Sequence, residues 1–380
     1  MDSIKFAAID IGSNAVRLLI MSVSPYDPNE TYSKILMIRF PLRLGQESFV
    51  SGKITDEKAK QLLRLMKAFK HLIKASDVVQ YRACATSAMR EAKNSKDIVK
   101  EIMKETGLEI EIIDGQEEAR IIYESHFADN LNKDLNYILV DVGGGSTEIS
   151  LIANGALIQS QSYDIGTVRL LNNKVRDEEY EKLYADLSEL KEEYAINDII
   201  GSGGNIIKLN TLAHVRKDRK LSLSALETLN ETLKIYSVDE LIELYKLKPD
   251  RADVITHAAE IYIDVAKKVG AKSFIVPKIG LIDGIVHLLY MDWKEKQILK
   301  AIAKDKKKKK EKKSIDDEII VEVVFDDETT EIISNETPES KENLNSNDKK
   351  KIEKGKNKKK EKAVVSEKII PEANIDNDEN

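Results

Sequence analysis

The residues best suited to chemistry stand between two apolar runs near the middle of the chain. Asp141 closes the first run, glycines occupy positions 143–145, hydroxyl residues follow at 146 and 147, and Glu148 opens the second run. This pattern predicts a strand, a tight glycine turn and another strand. Successive N–H groups in such a turn can bind an anion, and glycines let a ligand approach the backbone closely. The flanking carboxylates can hold a hard cation, so the stretch favours chemistry on phosphate with Mg²⁺.

The alternative is an ordinary glycine-rich hairpin with solvated acidic side chains. Such a hairpin does not require three glycines between an Asp and a Glu, so the functional interpretation is favoured.

A shorter copy of the pattern starts at Asp10, and residues 12–14 form its turn. Arg17 follows this turn among apolar neighbours, either as a surface side chain or as a charge directed into a cleft. Its position so soon after the turn favours the cleft.

A third glycine-rich turn, at residues 201–205, follows a predicted strand at 196–200 and precedes a predicted helix. It lacks the lysine that ends a Walker A loop, and its glycine spacing is not that of a dinucleotide fingerprint. Hydroxyl residues and an arginine at 86–90 also suit an anion site at the start of a helix. A plain helix cap explains those residues equally well.

Composition excludes several classes of protein. The chain of 380 residues is long enough for two domains, and its net charge of −6 argues against a protein built around nucleic acid. The single cysteine, Cys84, excludes an internal disulfide, fits a reducing compartment and is expected to be buried. No apolar run approaches the length of a membrane span, the first residues do not resemble a signal peptide, and the histidines show no metal-ligand spacing. We therefore expect a cytoplasmic protein that makes no membrane contact.

The two halves of the chain follow one plan. Residues 1–127 and 128–302 are each predicted to begin with a strand, an Asp-x-Gly turn and a second strand, followed by mixed strands and helices. Two such α/β domains flanking a cleft are typical of the ribonuclease-H-like fold of actin-like ATPases, in which ligands bind at strand ends. The last helix of the second domain could pack back on the first.

The composition changes from residue 303 onward, where lysine-rich and acidic segments alternate. Residues 303–380 are therefore predicted to form a disordered, charged tail. Its lysine tracts could contact RNA or other polyanions weakly, although simple solvation of the tail is the preferred interpretation.

Seven motifs, in the same order, resemble those of the exopolyphosphatase and guanosine pentaphosphate phosphohydrolase (Ppx/GppA) phosphatase family. They are DIGSN at 10–14 with Arg17, RLG at 43–45, ATSAMREA at 85–92 with Asn94, GQEEAR at 115–120, DVGGGSTE at 141–148, GTVRL at 166–170 and GSGGN at 201–205. Together the motifs make the resemblance far more specific than any one of them does.

The resemblance implies hydrolysis of terminal phosphoanhydride bonds in inorganic polyphosphate or guanosine pentaphosphate, with Mg²⁺ or Mn²⁺, by a homodimer. It implies that Glu118 is the general base that activates water and that Asp141 and Glu148 bind the metal. The phosphate-binding residues implied in the same way are Gly12, Ser13, Asn14, Arg17, Arg90, Gly143, Gly144, Gly145, Ser146, Gly203 and Gly204. Phosphoryl transfer depends on positioning and charge neutralisation, which these residue types can provide.

The sequence departs from the family pattern at residues 277–284, where Ile282 stands in place of an arginine that binds substrate in the family. Losing a guanidinium removes a charged hydrogen bond worth about 1.5–3 kcal/mol. Lys278 or Lys208 could supply a charge, although lysine does not reproduce the arginine fork. The additional C-terminal helical domains of long family members have no counterpart in this sequence, so we expect processive action on long polyphosphate to be disfavoured.

Ile282 and the charged tail motivate a second hypothesis, a non-hydrolytic nucleotide or phosphate sensor that uses the same cleft. A third hypothesis is an ATP-dependent kinase of the same fold, and the Glu-Glu-Ala sequence at 117–119 argues against it. Phosphate release from short polyphosphate and from guanosine pentaphosphate distinguishes the first hypothesis from the second.

Overall fold

Two mixed β-sheets carry the fold, and each contains antiparallel hairpin strands beside parallel strands. The computed structural model describes residues 3–25, 31–125, 131–216 and 219–318. Met1–Asp317 form one compact unit that contains both sheets. No helix among these described residues is both long enough and apolar enough to cross a membrane.

Five strands form the first sheet. They are β1 (Ile4–Ile11), β2 (Val16–Val23), β3 (Tyr32–Phe40), β4 (Gln80–Ala85) and β5 (Glu111–Ile112). Their spatial order is β3-β2-β1-β4-β5. Strand β2 is antiparallel to both of its neighbours, whereas β1, β4 and β5 are parallel to one another.

Six strands form the second sheet. They are β6 (Asn136–Val142), β7 (Thr147–Ala153), β8 (Ala156–Tyr163), β9 (Ile196–Ser202), β10 (Leu221–Ser222) and β11 (Ser273–Ile275). Their spatial order is β10-β11-β9-β6-β7-β8. Strand β7 is antiparallel to both neighbours, and β6, β9 and β11 are parallel.

Helices connect and cover the strands. Those of the first half are α1 (Leu44–Ser51), α2 (Asp56–Ala75), α3 (Ser87–Glu91), α4 (Ser95–Thr106) and α5 (Gly115–Tyr123). Those of the second half are α6 (Thr167–Leu171), α7 (Asp177–Glu193), α8 (Gly204–Leu212), α9 (Leu223–Lys234), α10 (Val238–Tyr245), α11 (Pro249–Ala252), α12 (Ile255–Val269) and α13 (Leu281–Glu318).

The two sheets repeat one arrangement around their leading hairpins. Strand β1 pairs with β2 and β4 as β6 pairs with β7 and β9. Asp10 and Asp141 therefore occupy equivalent places, each next to the C-terminal residue of the leading strand. The predicted fold class of two ribonuclease-H-like domains flanking a cleft is confirmed.

Three apolar clusters hold these layers together. One lies between the first sheet and α2 and α4, where it includes Ile9, Phe69 and Ile98. Another lies between the second sheet and the helices α7, α8, α9 and α12. The third, which we call the interface cluster, joins Phe6 of the first sheet and Leu139 of the second with residues of α5 and α13. Burial of such side chains stabilises a fold by about 1.5–3 kcal/mol each.

Local sequence signals place the helix that carries Glu118. The Asp114 side chain caps α5 by accepting a hydrogen bond of 2.8 Å from the N–H of Glu117. Thr55 caps α2 in the same way, by accepting a hydrogen bond of 3.3 Å from the N–H of Lys58. Cys84 is fully buried in the interface cluster, which confirms its interpretation as a small core residue.

The structure differs from the predicted disordered tail at its start. Residues 303–318 continue helix α13, which ends at Glu318, because lysine and alanine both favour helix. Residues 319–380 of the predicted tail and residues 126–130 at the predicted domain boundary lie outside the described residues. The division at residue 128 stays a prediction.

Candidate active site

A cleft of about 270 Å³ lies at the C-terminal ends of the leading strands of both sheets. All three glycine-rich turns contribute to its walls, together with residues of β3, α5 and the start of α13. Predicted site residues that line it are Gly12, Ser13, Asn14, Arg17, Glu118, Asp141, Gly143, Gly144, Gly203 and Gly204. Strand ends of α/β sheets are the usual ligand positions, so this cleft is the candidate site.

The first two glycine turns face each other directly. A Cβ atom at Gly144 would lie 3.0 Å from Ser13 Cβ and 3.2 Å from the backbone nitrogen of Asn14. The side chain of Asn14 donates a hydrogen bond of 2.8 Å to the carbonyl oxygen of Asp250, which joins the first turn to the second half of the chain. Only glycine permits the two turns to approach this closely.

Two of the predicted phosphate-binding amides are used within the turns themselves. The N–H of Gly12 donates to the carbonyl of Ala15 at 3.2 Å, and that of Gly143 donates to the carbonyl of Ser146 at 2.9 Å. These bonds close each turn. The remaining turn residues that line the cleft are Ser13, Asn14 and Gly144.

The third glycine turn packs against the acidic end of β6. Gly203 has a φ of 91°, and a Cβ atom there would lie 2.6 Å from Asp141 Oδ1. Glycine adopts this left-handed backbone without the steric conflict that other residues meet. Its N–H donates to the carbonyl of Ile279 at 3.4 Å, which links the turn to the segment before α13.

Three buried carboxylates meet beside these turns. One oxygen from each of Glu118, Asp141 and Glu148 lies within 4.8 Å of the others. Their exposures are 8%, 9% and 2%, respectively. Each also has a buried oxygen that forms no hydrogen bond within the described structure. Buried carboxylates at this spacing repel one another unless a cation or protons compensate them.

Burial, with contributions from neighbouring carboxylates, raises the pKa of every member of the group. Burial, Glu148 and Asp141 raise the pKa of Glu118 well above its ordinary value. Burial raises the pKa of Asp141 to about 6, and burial with the charge of Asp141 raises the pKa of Glu148 to about 7. Strongly perturbed carboxyl groups in a cleft are a mark of functional sites.

The donor set of this cluster fits a hard divalent cation. Orphaned, buried carboxylate oxygens are the ligands that Mg²⁺ and Mn²⁺ prefer, and bringing a cation to them would remove the mutual repulsion. The other carboxylate oxygen of Glu148 is positioned by the protein, because Ser162 donates a hydrogen bond of 2.9 Å to Glu148 Oε1. The cluster could therefore bind a metal ion.

Glu118 and Glu117 are adjacent in sequence but point to different surroundings, Glu118 into the cleft and Glu117 toward two arginines. Glu117 lies on the outer side of α5, where Arg120 donates to it at 2.7 Å and Arg82 at 3.0 Å. These contacts lower the pKa of Glu117, with the hydrogen bond from Arg120 as the main cause. Glu118 is directed into the cleft instead, so the helix separates an anchoring glutamate from a reactive one.

One part of the cleft wall is basic. Arg17 forms an ion pair with Asp10, and Arg39 pairs with Asp250 at 2.5 Å. Arg251 lines the same wall, and burial together with the charges of Arg39 and Arg17 lowers its pKa to about 10. These guanidinium groups can neutralise phosphate oxygens.

Arg39 and Arg251 were missed by the sequence reasoning. Arg39 stands in a strand that is followed by a proline, and Arg251 lies in the charged sequence Asp-Arg-Ala-Asp at 250–253. That charged sequence was the available signal for Arg251. Arg39 had no comparable signal, because only the fold brings β3 to the cleft.

Four predicted residues stand outside the cleft lining. Arg90 donates a hydrogen bond of 2.7 Å to the carbonyl of Ile113. Its positive charge partly opposes the burial that raises the pKa of Glu118 and Glu148. Gly145 is packed against Ser87 and Phe49, where a Cβ atom would lie 2.0 Å and 2.3 Å from their side-chain atoms. Ser146 is also buried, and Glu148 belongs to the acidic cluster without reaching the cleft surface.

Ile282 lines the cleft where the resemblance leads one to expect an arginine. It is 5% exposed and belongs to the interface cluster. Lys278 lines the mouth of the cleft nearby, whereas Lys208 lies within 3.5 Å of the carbonyl of Tyr245 and does not line it. The positive charge of the cleft therefore comes mainly from Arg17, Arg39 and Arg251.

The fold and the site together define a protein with two ribonuclease-H-like halves, a cleft at the ends of their leading strands and a buried carboxylate cluster. The chain belongs to the Ppx/GppA phosphatase family, whose sequence model matches residues 29–290. This match covers the second sheet and strands β3 to β5 of the first, and it includes every residue of the cleft lining from Lys34 onward.

Known relatives are consistent with this membership. The chain is 28% identical over 294 residues to a bifunctional 3-dehydroquinate synthase/phosphatase of Fusobacterium nucleatum, covering 71% of this chain and 44% of that protein. It is 32% identical over 149 residues to exopolyphosphatase 1 of Mycobacterium tuberculosis, covering 38% of this chain and 42% of that protein. The chain thus spans less than half the length of these curated relatives.

Solved structures share the fold over the described domains. The Ppx/GppA family member of Aquifex aeolicus has a TM-score of 0.63 and 25% identity, with 77% of this chain and 99% of that chain covered. An exopolyphosphatase of Cytophaga hutchinsonii has a TM-score of 0.65 at 23% identity, covering 75% of this chain and 97% of that chain, which supports the fold alone.

Proposed function

We propose that this protein hydrolyses terminal phosphoanhydride bonds and releases phosphate from inorganic polyphosphate, from guanosine pentaphosphate, or from both. The observation that carries the proposal is the placement of Glu118. Its buried carboxylate belongs to the acidic cluster and lines the cleft together with the glycine turns, and one of its oxygens forms no hydrogen bond within the described structure. A proton acceptor in that position can activate a water molecule next to a bound phosphoryl group.

Each wall of the cleft has a role in this reaction. The backbone and side chains of Ser13, Asn14 and Gly144 bind the terminal phosphate, and Arg17, Arg39 and Arg251 neutralise the negative charge of the phosphate chain. Glu118 accepts a proton from the attacking water as the phosphorus–oxygen bond forms. Its raised pKa suits this role, because a stronger base accepts the proton more readily. The bond to the next phosphate breaks, and that phosphate leaves on the basic side of the cleft.

Asp141 and Glu148 would hold a divalent cation, Mg²⁺ or Mn²⁺, beside Glu118. When bound, the cation supplies charge neutralisation for the phosphate oxygens and for the clustered carboxylates. Cytoplasmic location and a homodimer belong to the same proposal, on the strength of the composition and the family resemblance.

The test is phosphate release from short polyphosphate and from guanosine pentaphosphate in the presence of Mg²⁺. Glu118→Gln keeps the size and hydrogen-bonding capacity of the side chain but removes the base, so kcat should fall by roughly 10²–10⁴-fold. Binding of either substrate, measured calorimetrically without a metal, should change little.

Glu117→Gln is the matched control, because it alters an adjacent glutamate that points away from the cleft. We expect this variant to keep its activity. Equal activity of the two variants would remove Glu118 from the mechanism. Binding of both substrates without phosphate release from either would instead support the non-hydrolytic sensor, which the apolar Ile282 also favours.

A further inference from the structure

A buried tyrosine connects the second glycine turn with the third. Tyr262 belongs to α12 and is fully buried in the apolar cluster of the second sheet. Its hydroxyl accepts a hydrogen bond of 3.3 Å from the N–H of Val142 and donates one of 2.7 Å to the carbonyl of Ser202. We call these two hydrogen bonds the hydroxyl bridge.

The two backbone groups of the hydroxyl bridge stand next to residues of the cleft. Val142 follows Asp141 in sequence, and Ser202 precedes Gly203, whose turn packs against Asp141. Strands β6 and β9 are parallel neighbours, and the last pair of their register is Asp141 with Ser202. The bridge therefore joins the C-terminal ends of the two strands at the point where both reach the cleft.

We propose that Tyr262 is a positioning residue for Asp141, one of the carboxylates of the acidic cluster. The hydroxyl bridge fixes the ends of β6 and β9 relative to each other, and with them the place of Asp141 beside the third glycine turn. The inference rests on the proposed function, because it takes Asp141 as a ligand of the divalent cation. It predicts that the loss of one buried hydroxyl group, on a helix behind the sheet, weakens metal binding.

Small displacements of Asp141 matter because a hard cation is demanding about ligand geometry. Mg²⁺ accepts oxygen ligands at about 2.0–2.1 Å and close to octahedral angles. One oxygen of Asp141 lies within 4.8 Å of oxygens from Glu118 and Glu148. A Cβ atom at Gly203 would lie 2.6 Å from Asp141 Oδ1, so the third turn limits the side chain directly. The hydroxyl bridge limits the backbone next to it, and the two restraints together define where the carboxylate stands.

Tyr262 is itself held in place by packing. Its ring lies edge-on to the ring of Phe274 in β11, with centroids 6.2 Å apart and an angle of 89° between the planes. Both rings are fully buried. Burial and the charges of Asp141 and Glu148 raise the pKa of Tyr262 well above its ordinary value. The hydroxyl therefore keeps its proton at neutral pH and remains a donor to the carbonyl of Ser202.

A second buried tyrosine of the same apolar cluster provides a matched control. Tyr163 is 1% exposed, and its hydroxyl donates a hydrogen bond of 2.6 Å to Asp186 of α7. Replacing either tyrosine with phenylalanine removes one buried oxygen and its hydrogen bonding. Only the change at Tyr262 removes the partner of backbone groups beside the glycine turns. A purely structural role predicts similar behaviour of the two variants, whereas a positioning role separates them.

The test compares Tyr262→Phe with Tyr163→Phe in the full chain. Mn²⁺ is titrated into the metal-free proteins and followed by electron paramagnetic resonance, at a temperature at which circular dichroism shows both variants to be folded. We expect Tyr262→Phe to bind Mn²⁺ roughly 10–100-fold more weakly than the parent, which is the range for outer-shell partners of metal ligands. Tyr163→Phe should bind Mn²⁺ as tightly as the parent, although both variants unfold at a lower temperature.

Hydrogen exchange of the metal-free proteins gives a second measurement that does not depend on the metal. Tyr262→Phe removes the acceptor of the Val142 amide, so this amide should exchange faster relative to that of Leu139 in the same strand. In Tyr163→Phe the ratio of the two exchange rates should equal that of the parent. A change confined to the end of β6 is the result that a positioning role requires.

Two results of the titration would overturn the inference. Mn²⁺ binding in Tyr262→Phe as tight as in the parent would show that the hydroxyl bridge does not position Asp141. An equal loss of affinity in Tyr163→Phe would show that the effect follows from lower stability alone. A parent protein that binds no Mn²⁺ would instead contradict the proposed metal site. The exchange of the Val142 amide would then decide the role of Tyr262, and an unchanged rate in Tyr262→Phe would overturn it.

Discussion

The two leading hairpins of this protein have the same strand register but differ in the charges that they place opposite each other. In the first sheet, cross-strand pairing sets Asp10 opposite Arg17, and the two side chains form an ion pair. In the second sheet, the same register sets Asp141 opposite Glu148, so two carboxylates meet. One hairpin compensates its buried charge internally, whereas the other leaves negative charge that requires a cation. The difference teaches that the same hairpin geometry can hold a compensated ion pair in one sheet and an uncompensated carboxylate pair in the other.

The largest effect on stability is expected from removing Arg17, which pairs with Asp10 in the first hairpin. Arg17→Gln leaves the Asp10 carboxylate, which is only 6% exposed, without its partner, while Arg17 itself is 26% exposed. Removing one member of a buried ion pair costs about 3–5 kcal/mol, and the partial exposure of Arg17 places this variant near 3 kcal/mol. Urea unfolding measures the change in the free energy of unfolding.

The double variant Arg17→Gln with Asp10→Asn is the control for that experiment. It removes both charges, so it should recover most of the lost stability. A double variant as unstable as Arg17→Gln alone would show that Arg17 stabilises the hairpin through packing and not through its charge.

Removing a carboxylate from the second hairpin, which holds Asp141 and Glu148, should lower activity instead. Glu148→Gln removes one carboxylate of the acidic cluster, and metal-dependent phosphate release should fall at least about 100-fold, because even outer-shell partners of metal ligands cost 10–100-fold. The same variant should unfold at a higher temperature than the parent in chelator, since like-charge repulsion decreases. Retention of full activity would contradict the assignment of Glu148.

Metal addition tests the same contrast without mutation. Mg²⁺ at ten times its dissociation constant should stabilise the parent protein by about 1.4 kcal/mol, because it binds only the folded chain. Thermal unfolding with and without chelator measures this shift. A Glu148→Gln variant that is stabilised to the same extent would place the metal away from the acidic cluster.

The smallest effect is expected where the two turns touch. Gly144→Ala places a methyl group 3.0 Å from Ser13 Cβ and 3.1 Å from Val168 Cγ2, and it should destabilise the protein by about 1 kcal/mol. KM should increase because the turns separate. Gly280→Ala adds a methyl group that meets no heavy atom within 4 Å, so its unfolding temperature should match that of the parent.

Much of this comparison was available in the sequence. Asp10 and Arg17, like Asp141 and Glu148, stand seven residues apart around a four-residue turn, so the hairpin pattern predicts both pairings. The alternation of apolar runs with Asp-x-Gly turns predicted two similar domains, and the cap at Asp114 fixed the start of the helix that carries Glu118.

Other parts of the site depend on contacts between distant segments. Arg39 and Arg251 reach the cleft from an edge strand and from a short helix near residue 250, and no local pattern reports that convergence. Gly145 and Ser146 belong to the predicted turn but are buried, because Phe49 and Ser87 of the first half cover that side of it. Local chemistry predicted which residue types form the site, and tertiary packing decided which of them reach its surface.

The central claim is that the acidic hairpin binds the metal and the compensated hairpin does not. Direct titration of Mn²⁺ into the parent protein and into the Asp141→Asn and Asp10→Asn variants, followed by electron paramagnetic resonance, tests it. We predict that Asp141→Asn loses the tight site and that Asp10→Asn retains it. Loss of Mn²⁺ binding in Asp10→Asn, with binding intact in Asp141→Asn, would contradict the account.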